Sequence, residues 1–246
     1  MRLLAYATFI TALALSNQAL SEPLRFSYWS DASPPLASIQ DNKLHAGILK
    51  ELGAAIGAAL NLPVEFRALP VQRIESQLQA GLIDLDCITS PIWKQEPEAY
   101  HWSPVLFKGA DRFLIKKGSQ HAISTFSDLK GLTLGIYNGY TYHPKIMEMI
   151  NSGGVATIKV SGIEHGIQLI ELGRLDALID FEVSLNYQIK QQNLYNKLKL
   201  AEKYADEFDL QCAYSKKMKI STGTMNKAIE SIVRSGKFQE ILAKYK

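Results

Sequence analysis

Apolar residues recur along the chain with two periods, and their alternation lays out short strands separated by amphipathic helices. Leu24 to Trp29 reads as a strand, and Ser30-Asp31-Ala32-Ser33-Pro34-Pro35 after it as a loop, because the two prolines exclude helix. Ile48, Leu49, Leu52, Ile56, Ala59 and Leu60 then fall on one helical face. A brief strand at Val64-Glu65-Phe66 leads to Pro70, which suits a helix start. Val71, Ile74 and Leu78 form the buried face of that helix and Gly81 ends it. Ile83 to Ile88 is the next strand. Crossover helices between short strands imply a mostly parallel sheet covered by helices.

The same grammar returns further on. Strands are predicted at Phe113-Leu114-Ile115, Leu132 to Ile136, Thr157 to Val160 and Ala177-Leu178-Ile179, and helices at His143 to Ile150 and Glu164 to Leu172. These elements predict a second α/β lobe. A last strand, Leu210 to Tyr214, and helices at Met225 to Val233 and Phe238 to Tyr245 are too few for a domain, so they are expected to complete the first lobe. The expected division is residues 22–107 and 205–246 for lobe 1 and 108–204 for lobe 2. The start of the chain differs: Arg2, a mostly apolar run from Leu3 to Leu15 and the small residues of Ala19-Leu20-Ser21 read as a signal peptide over residues 1–21, cut before Glu22. Ser16-Asn17-Gln18 interrupts the run before the ~20 apolar residues that a spanning helix needs. An exported, soluble chain in the periplasm, without membrane insertion, is the expectation.

Composition adds mainly exclusions. With 246 residues, 47% hydrophobic and 21% charged, the chain can bury cores and is not disordered. A net charge of +3 with no block of Lys or Arg lacks the basic patch of a nucleic-acid-binding protein. The five His and two Cys show no ligand spacing, so no metal or other cofactor is expected. Cys87 and Cys212 each lie in an apolar or alternating strand-like run; in an oxidising compartment they could form a disulfide if they are neighbours in space, a buried free thiol is equally at home there, and two free thiols are the favoured reading. There is no Gly-x-Ser-x-Gly elbow, phosphate-binding Gly-Lys-Ser/Thr loop or Gly-x-Gly-x-x-Gly fingerprint. One loop carries candidate chemistry: Ile136-Tyr137-Asn138-Gly139-Tyr140-Thr141-Tyr142, between a strand and a helix. Amides at such a helix N-terminus attract anions, and Gly139 permits a tight turn and close approach of a ligand.

Four blocks in order then carry a resemblance. They are Ser33-Pro34-Pro35-Leu36 with Gly47-Ile48-Leu49-Lys50-Glu51-Leu52; Leu78-Gln79-Ala80-Gly81-Leu82-Ile83-Asp84 with Trp102-Ser103-Pro104; Asp128-Leu129-Lys130-Gly131-Leu132-Thr133-Leu134-Gly135; and Leu172-Gly173-Arg174-Leu175-Asp176-Ala177. Together they resemble the family 3 extracellular solute-binding proteins, receptors typified by amino-acid uptake through ABC transporters. The resemblance covers essentially the whole mature chain. It implies a type II periplasmic-binding-protein fold, two α/β lobes joined by a two-strand hinge, with ligand trapped between them. It also implies a monomer whose partner is an ABC permease. Pro70-Val71-Gln72-Arg73 resembles the Pro-Trp-x-Arg form of divergent members.

The amino-acid clamp of that family is altered. Counting without gaps, the position of the carboxylate-binding Arg holds Glu96, and that of the ammonium-binding acid holds Phe181, flanked by Asp180 and Glu182. Ser33 replaces the stacking aromatic, with Tyr28 and Trp29 nearby. Thr89 matches a ligand-binding hydroxyl, and Thr141 lies in the loop whose amides hold the carboxylate. Two readings stay open: Lys94 or Arg73 replaces the missing cation, or the ligand is cationic or neutral and is held by Glu96 and the rings of Trp29, Trp93 or Tyr140. Candidate ligand-binding residues are thus Trp29, Arg73, Thr89, Ser90, Trp93, Lys94, Glu96, Asn138, Tyr140, Thr141 and Asp180. Binding without catalysis is the expectation. A stand-alone sensor is one alternative. A lyase resembling cyclohexadienyl dehydratase, with Glu96 or Glu182 as general acid, is the other.

Overall fold

A computed structural model describes residues 22–245, so the expected signal peptide lies outside the described residues. The chain runs β1 (Leu24–Trp29), β2 (Ser38–Gln40), β3 (Lys43–Ala46), α1 (Ile48–Leu60), β4 (Val64–Leu69), α2 (Val71–Ala80), β5 (Leu85–Thr89), β6 (Tyr100–Trp102) and β7 (Phe107–Lys116). It continues through β8 (Thr133–Ile136), α3 (Pro144–Asn151), β9 (Ala156–Lys159), α4 (Ile163–Glu171), β10 (Ala177–Phe181), α5 (Glu182–Gln191), β11 (Leu198–Ser215), α6 (Thr222–Arg234) and α7 (Lys237–Ala243). The strand order β4-β1-β5-β11-β7-β10-β8-β9 is continuous, with β6 added on β11. β1 lies parallel to β4 and β5, and β8 parallel to β9 and β10. Between these parallel groups run β7 and β11, antiparallel to each other from Leu198 opposite Lys116 to Leu210 opposite Phe107. Beyond Leu210, β11 changes neighbour and pairs with β5. Two α/β lobes joined by two strands result.

Each lobe buries the faces that periodicity marks. On α1, Ile48, Leu49, Leu52 and Ile56 are buried in one cluster with Phe26 and Leu85 of the sheet and with Met225, Ile229 and Phe238 of α6 and α7, so the C-terminal helices pack into the first lobe. Gly53 keeps α1 close to the sheet, since a Cβ there would lie 2.6 Å from the Phe66 ring. In the second lobe the period of two divides the core. Phe113, Ile115, Ala177 and Ile179 face the cluster that holds Ile146 of α3, whereas Leu114 and Leu178 face Ile167 of α4 and Leu185 of α5. The sheet is therefore covered on both faces, as parallel strands require. Among the described residues no helix is long and apolar enough to cross a membrane.

The expected elements are all present, and β2, β3, β6 and α5 are added. The β2–β3 hairpin turns on Asp41 and Asn42, both with positive φ (49° and 58°), as a two-residue turn of matching twist demands. α5 follows β10 without a loop and buries Ser184 and Gln188 beside Leu185 and Ile189, so its face carries little apolar period. β11 is 18 residues long, far beyond the five expected at its end. The cysteine expectation is corrected: Cys87 and Cys212 sit opposite each other in the β5–β11 ladder and form a disulfide, leaving no free thiol among the described residues. Strand pairing across a sequence separation of 125 was not visible in either local pattern. Closing so long a loop restricts the unfolded chain, and replacing both cysteines by alanine is expected to cost about 2–4 kcal/mol. Urea midpoints check this: a reductant should lower the wild-type midpoint to that of the double variant and leave the variant unmoved.

Candidate functional site

Trp29 ends β1, Thr89 ends β5, Phe181 ends β10, and the loop after β8 carries Tyr137 to Tyr142. All these segments open on one cavity of about 640 Å³ between the lobes. Ligands in open α/β sheets bind at such carboxyl ends of strands, and the volume suits a small molecule. A bulge shapes the lobe 1 side. The register passes from Cys212 opposite Cys87 to Gln211 opposite Thr89, so Ile88 has no partner residue and adopts φ 57° while 2% exposed. Simple alternation would send Ile88 and Thr89 to opposite faces, and the bulge lets both line the cavity.

Most of the candidate residues converge here. Trp29, Trp93 and Tyr140 supply aromatic walls, Thr89 and Thr141 hydroxyls, and Lys94, Glu96 and Asp180 charges. Arg73 does not: it is exposed on α2 and outside the cavity lining. Ser90 is buried behind the wall, where its carbonyl accepts the Trp93 N–H, and Asn138 is exposed and accepts a hydrogen bond from Lys159 at 3.3 Å. Tyr28 is buried in the core and Leu36, rather than Ser33, reaches the cavity. Lys94 is present but committed. Its ammonium lies 3.1 Å from Asp86 Oδ2, with side-chain exposures of 9% and 2%, and Asp86 also accepts from Ser27 at 3.2 Å. A desolvated pair of this kind leaves little positive charge for a ligand.

The acids are less compensated. Glu75, Asp86, Glu96, Asp111 and Asp180 line the cavity, and among the described lining residues Lys94 alone is basic. Asp180 accepts from the Tyr137 hydroxyl at 2.5 Å and from the Phe181 N–H at 2.6 Å, yet burial pushes its pKa up to about 6. Asp111, on β7, lies between Phe181 of β10 and Asp206 of β11 in the sheet register. Burial, then the charges of Asp180 and Asp206, push it up to about 8. Burial and Asp180 also hold the Tyr137 hydroxyl far above its ordinary range, so it stays a donor. On the loop side, α3 begins at Pro144, which has no N–H, and the Lys145 N–H donates to the His143 ring at 3.2 Å. The Tyr137 N–H is taken by the Tyr142 hydroxyl at 2.7 Å.

Asp86 and Asp111 escaped the sequence reading although each left a sign. Asp86 stands inside an all-buried strand, where an acid needs a reason. Asp111 shares the parity of Phe113 and Ile115 on β7, so it continues an apolar face. The lobes also meet across the cleft mouth. Gly139, at φ 79°, lies so near the first turn of α2 that a Cβ would be 2.6 Å from Gln72 Nε2.

Two outcomes follow. Gly139→Ala should lower stability by about 1 kcal/mol or more through its left-handed φ and the Gln72 contact, and Gln72→Ala should recover only the contact part, as urea unfolding of the four combinations will read. Because Asp111 holds its proton more tightly folded than unfolded, the unliganded protein should lose stability as pH rises from the ordinary carboxylate range through about 8. Asp180 should add to the loss up to about 6. Asp111→Asn should flatten the upper part of that profile in thermal melts.

Several solved structures share this architecture. An ancestral arginine-binding protein bound to arginine is 24% identical, with a TM-score of 0.74 over 92% of this chain and 99% of that one. The substrate-binding protein of an amino acid ABC transporter is 18% identical, with a TM-score of 0.70 over 91% and 99%. An ancestral amino-acid-binding protein, a precursor of cyclohexadienyl dehydratase, is 18% identical, with a TM-score of 0.72 over 91% and 94%. At these identities the likeness shows the fold, the type II periplasmic-binding-protein fold. No curated protein matches the sequence significantly. Residues 28–246 match the bacterial extracellular solute-binding proteins, family 3. The chain belongs to that family of solute-binding proteins.

Proposed function

We propose that this protein is an exported receptor that closes its two lobes on a small organic cation and presents it to an ABC permease. The observation that carries the reading is the charge of the cleft: five carboxyl groups against one ammonium, and that ammonium 3.1 Å from Asp86. A carboxylate ligand would meet this field without a guanidinium to pair with, whereas a cation gains both Coulomb attraction and the ring faces of Trp29, Trp93 and Tyr140. The commitment of the Lys145 and Tyr137 amides also disfavours an anion site in the loop. An arginine-bound relative supports the capacity of the fold to take a cationic side chain. The same charge pattern argues that the usual amino-acid clamp is altered. Lobes of 22–107 with 205–246 and of 108–204 suit a hinge at β7 and β11.

The lyase alternative needs a buried acid at Glu96 or Glu182. Glu96 is exposed and accepts from Gln79 at 3.2 Å, and Glu182 lies outside the cavity, bound to Arg112 at 2.7 Å. Binding therefore has the stronger support. A thermal-shift panel on ligand-stripped protein tests it: organic amines and guanidines at ~100 times their Kd should add about 2.7 kcal/mol, a rise of roughly 5–11 °C at this chain length. A rise with dicarboxylates or neutral amino acids, and none with cations, would overturn the proposal.

A further inference from the structure

Resting on that reading and narrowing it, we infer that the ligand is an aliphatic dication, a di- or polyamine, held at one end by Asp111 and Asp180 and at the other by Glu75 and Glu96. The four carboxyl groups come as two pairs from opposite walls of one cavity. Glu75 stands on α2 and Glu96 just before Pro97, both in the lobe of β1 and β5, while Asp111 on β7 and Asp180 on β10 lie on the side of β8 and β9. Among the described residues none of the four is in an ion pair. Their partners are neutral: the Tyr100 hydroxyl for Glu75 at 3.3 Å, the Gln79 amide for Glu96 at 3.2 Å, and the Tyr137 hydroxyl for Asp180. The Asp111 carboxyl has no hydrogen-bond partner among the described residues, and Asp111 lines the cavity.

Acids on both walls favour closure on a ligand that carries positive charge to each, and a cation beside Asp111 would displace the proton that burial holds there in the empty cleft. A basic amino acid meets that demand poorly, because its own carboxylate enters the same field and the Lys94 ammonium is already paired with Asp86. Unbranched methylenes between two ammonium groups, in contrast, match the apolar and aromatic lining from Trp29, Trp93, Tyr140 and Phe181. A divalent metal ion is disfavoured as the dication, since no three of the described His, Cys, Asp and Glu side chains converge to hold one.

Isothermal titration of the full mature chain tests the inference with 1,4-diaminobutane, 1-aminobutane, spermidine, lysine and arginine. A diamine should bind about 100-fold or more tighter than the monoamine of equal length, since each charged hydrogen-bonded contact is worth a factor of ten or more. Asp111→Asn should weaken the diamine about tenfold or more, and Glu75→Gln with Glu96→Gln should compress the diamine-to-monoamine ratio, each variant being checked for a native circular dichroism spectrum and melt. Monoamine and diamine binding equally, or lysine and arginine binding tighter than every diamine, would overturn the dication and leave the cation receptor standing. Binding of anions or neutral solutes alone, with no amine bound, would overturn both.

Discussion

The antiparallel ladder between β7 and β11 is the constraint on which the rest of the molecule depends. It is both the middle of the sheet and the connection between lobes, so neither lobe can be built without fixing the floor of the cleft. Its packing is tight: at Gly109 a Cβ would lie 2.6 Å from Leu210 and 2.9 Å from the rings of Phe181 and Phe208. Phe181, Phe208 and Phe107 lie ring to ring beneath the cavity, and Trp93 meets Phe208 edge-on at 4.5 Å. An apolar floor of this kind lowers the local dielectric, which is why the carboxyl of Asp111, standing on the same ladder, resists ionisation.

Charge placement divides the cleft into parts with different duties. Asp86 and Lys94 neutralise each other inside the first lobe, with the Ser27 hydroxyl donating to the same carboxylate, and so behave as structure. Breaking such a pair leaves an uncompensated buried charge, a heavier cost than its formation returns. Among the described residues the remaining acids of the cavity lining have no ion-pair partner, which leaves their electrostatics for the proposed cation to complete. On the proposed reading, a few side chains set the sign of the site without altering the fold, which is how one frame serves different ligands.

Much of the architecture was legible because it rests on local periodicity. The helical face of Ile48 to Leu60 and the Pro70-to-Gly81 frame are written in consecutive residues. Residues at the ends of parallel strands, such as Thr89 and Asp180, were legible through the order of motifs. What escaped depends on pairing between distant segments. The Cys87–Cys212 bond, the partnership that commits Lys94 and the reach of β11 into both lobes are set by which strands become neighbours. α5 escaped for a different reason: burying Ser184 and Gln188 erases the apolar stripe by which a helix is recognised. The Ile88 bulge carries no residue-type signal, since a β-branched side chain is a poor candidate for positive φ.

The disulfide also has a mechanical meaning. β11 is held covalently to β5 at Cys212 and is free of that neighbour from Leu210 back toward Leu198, so it behaves as a beam clamped at one end. On the proposed closure of the lobes, flexure is expected beyond the clamp, in the stretch where Phe208, Asp209 and Leu210 oppose Gly109, Lys108 and Phe107. In that movement the clamp would set where the lever arm of the second lobe starts, and with it how far the loop at Gly139 would swing for each degree of bend.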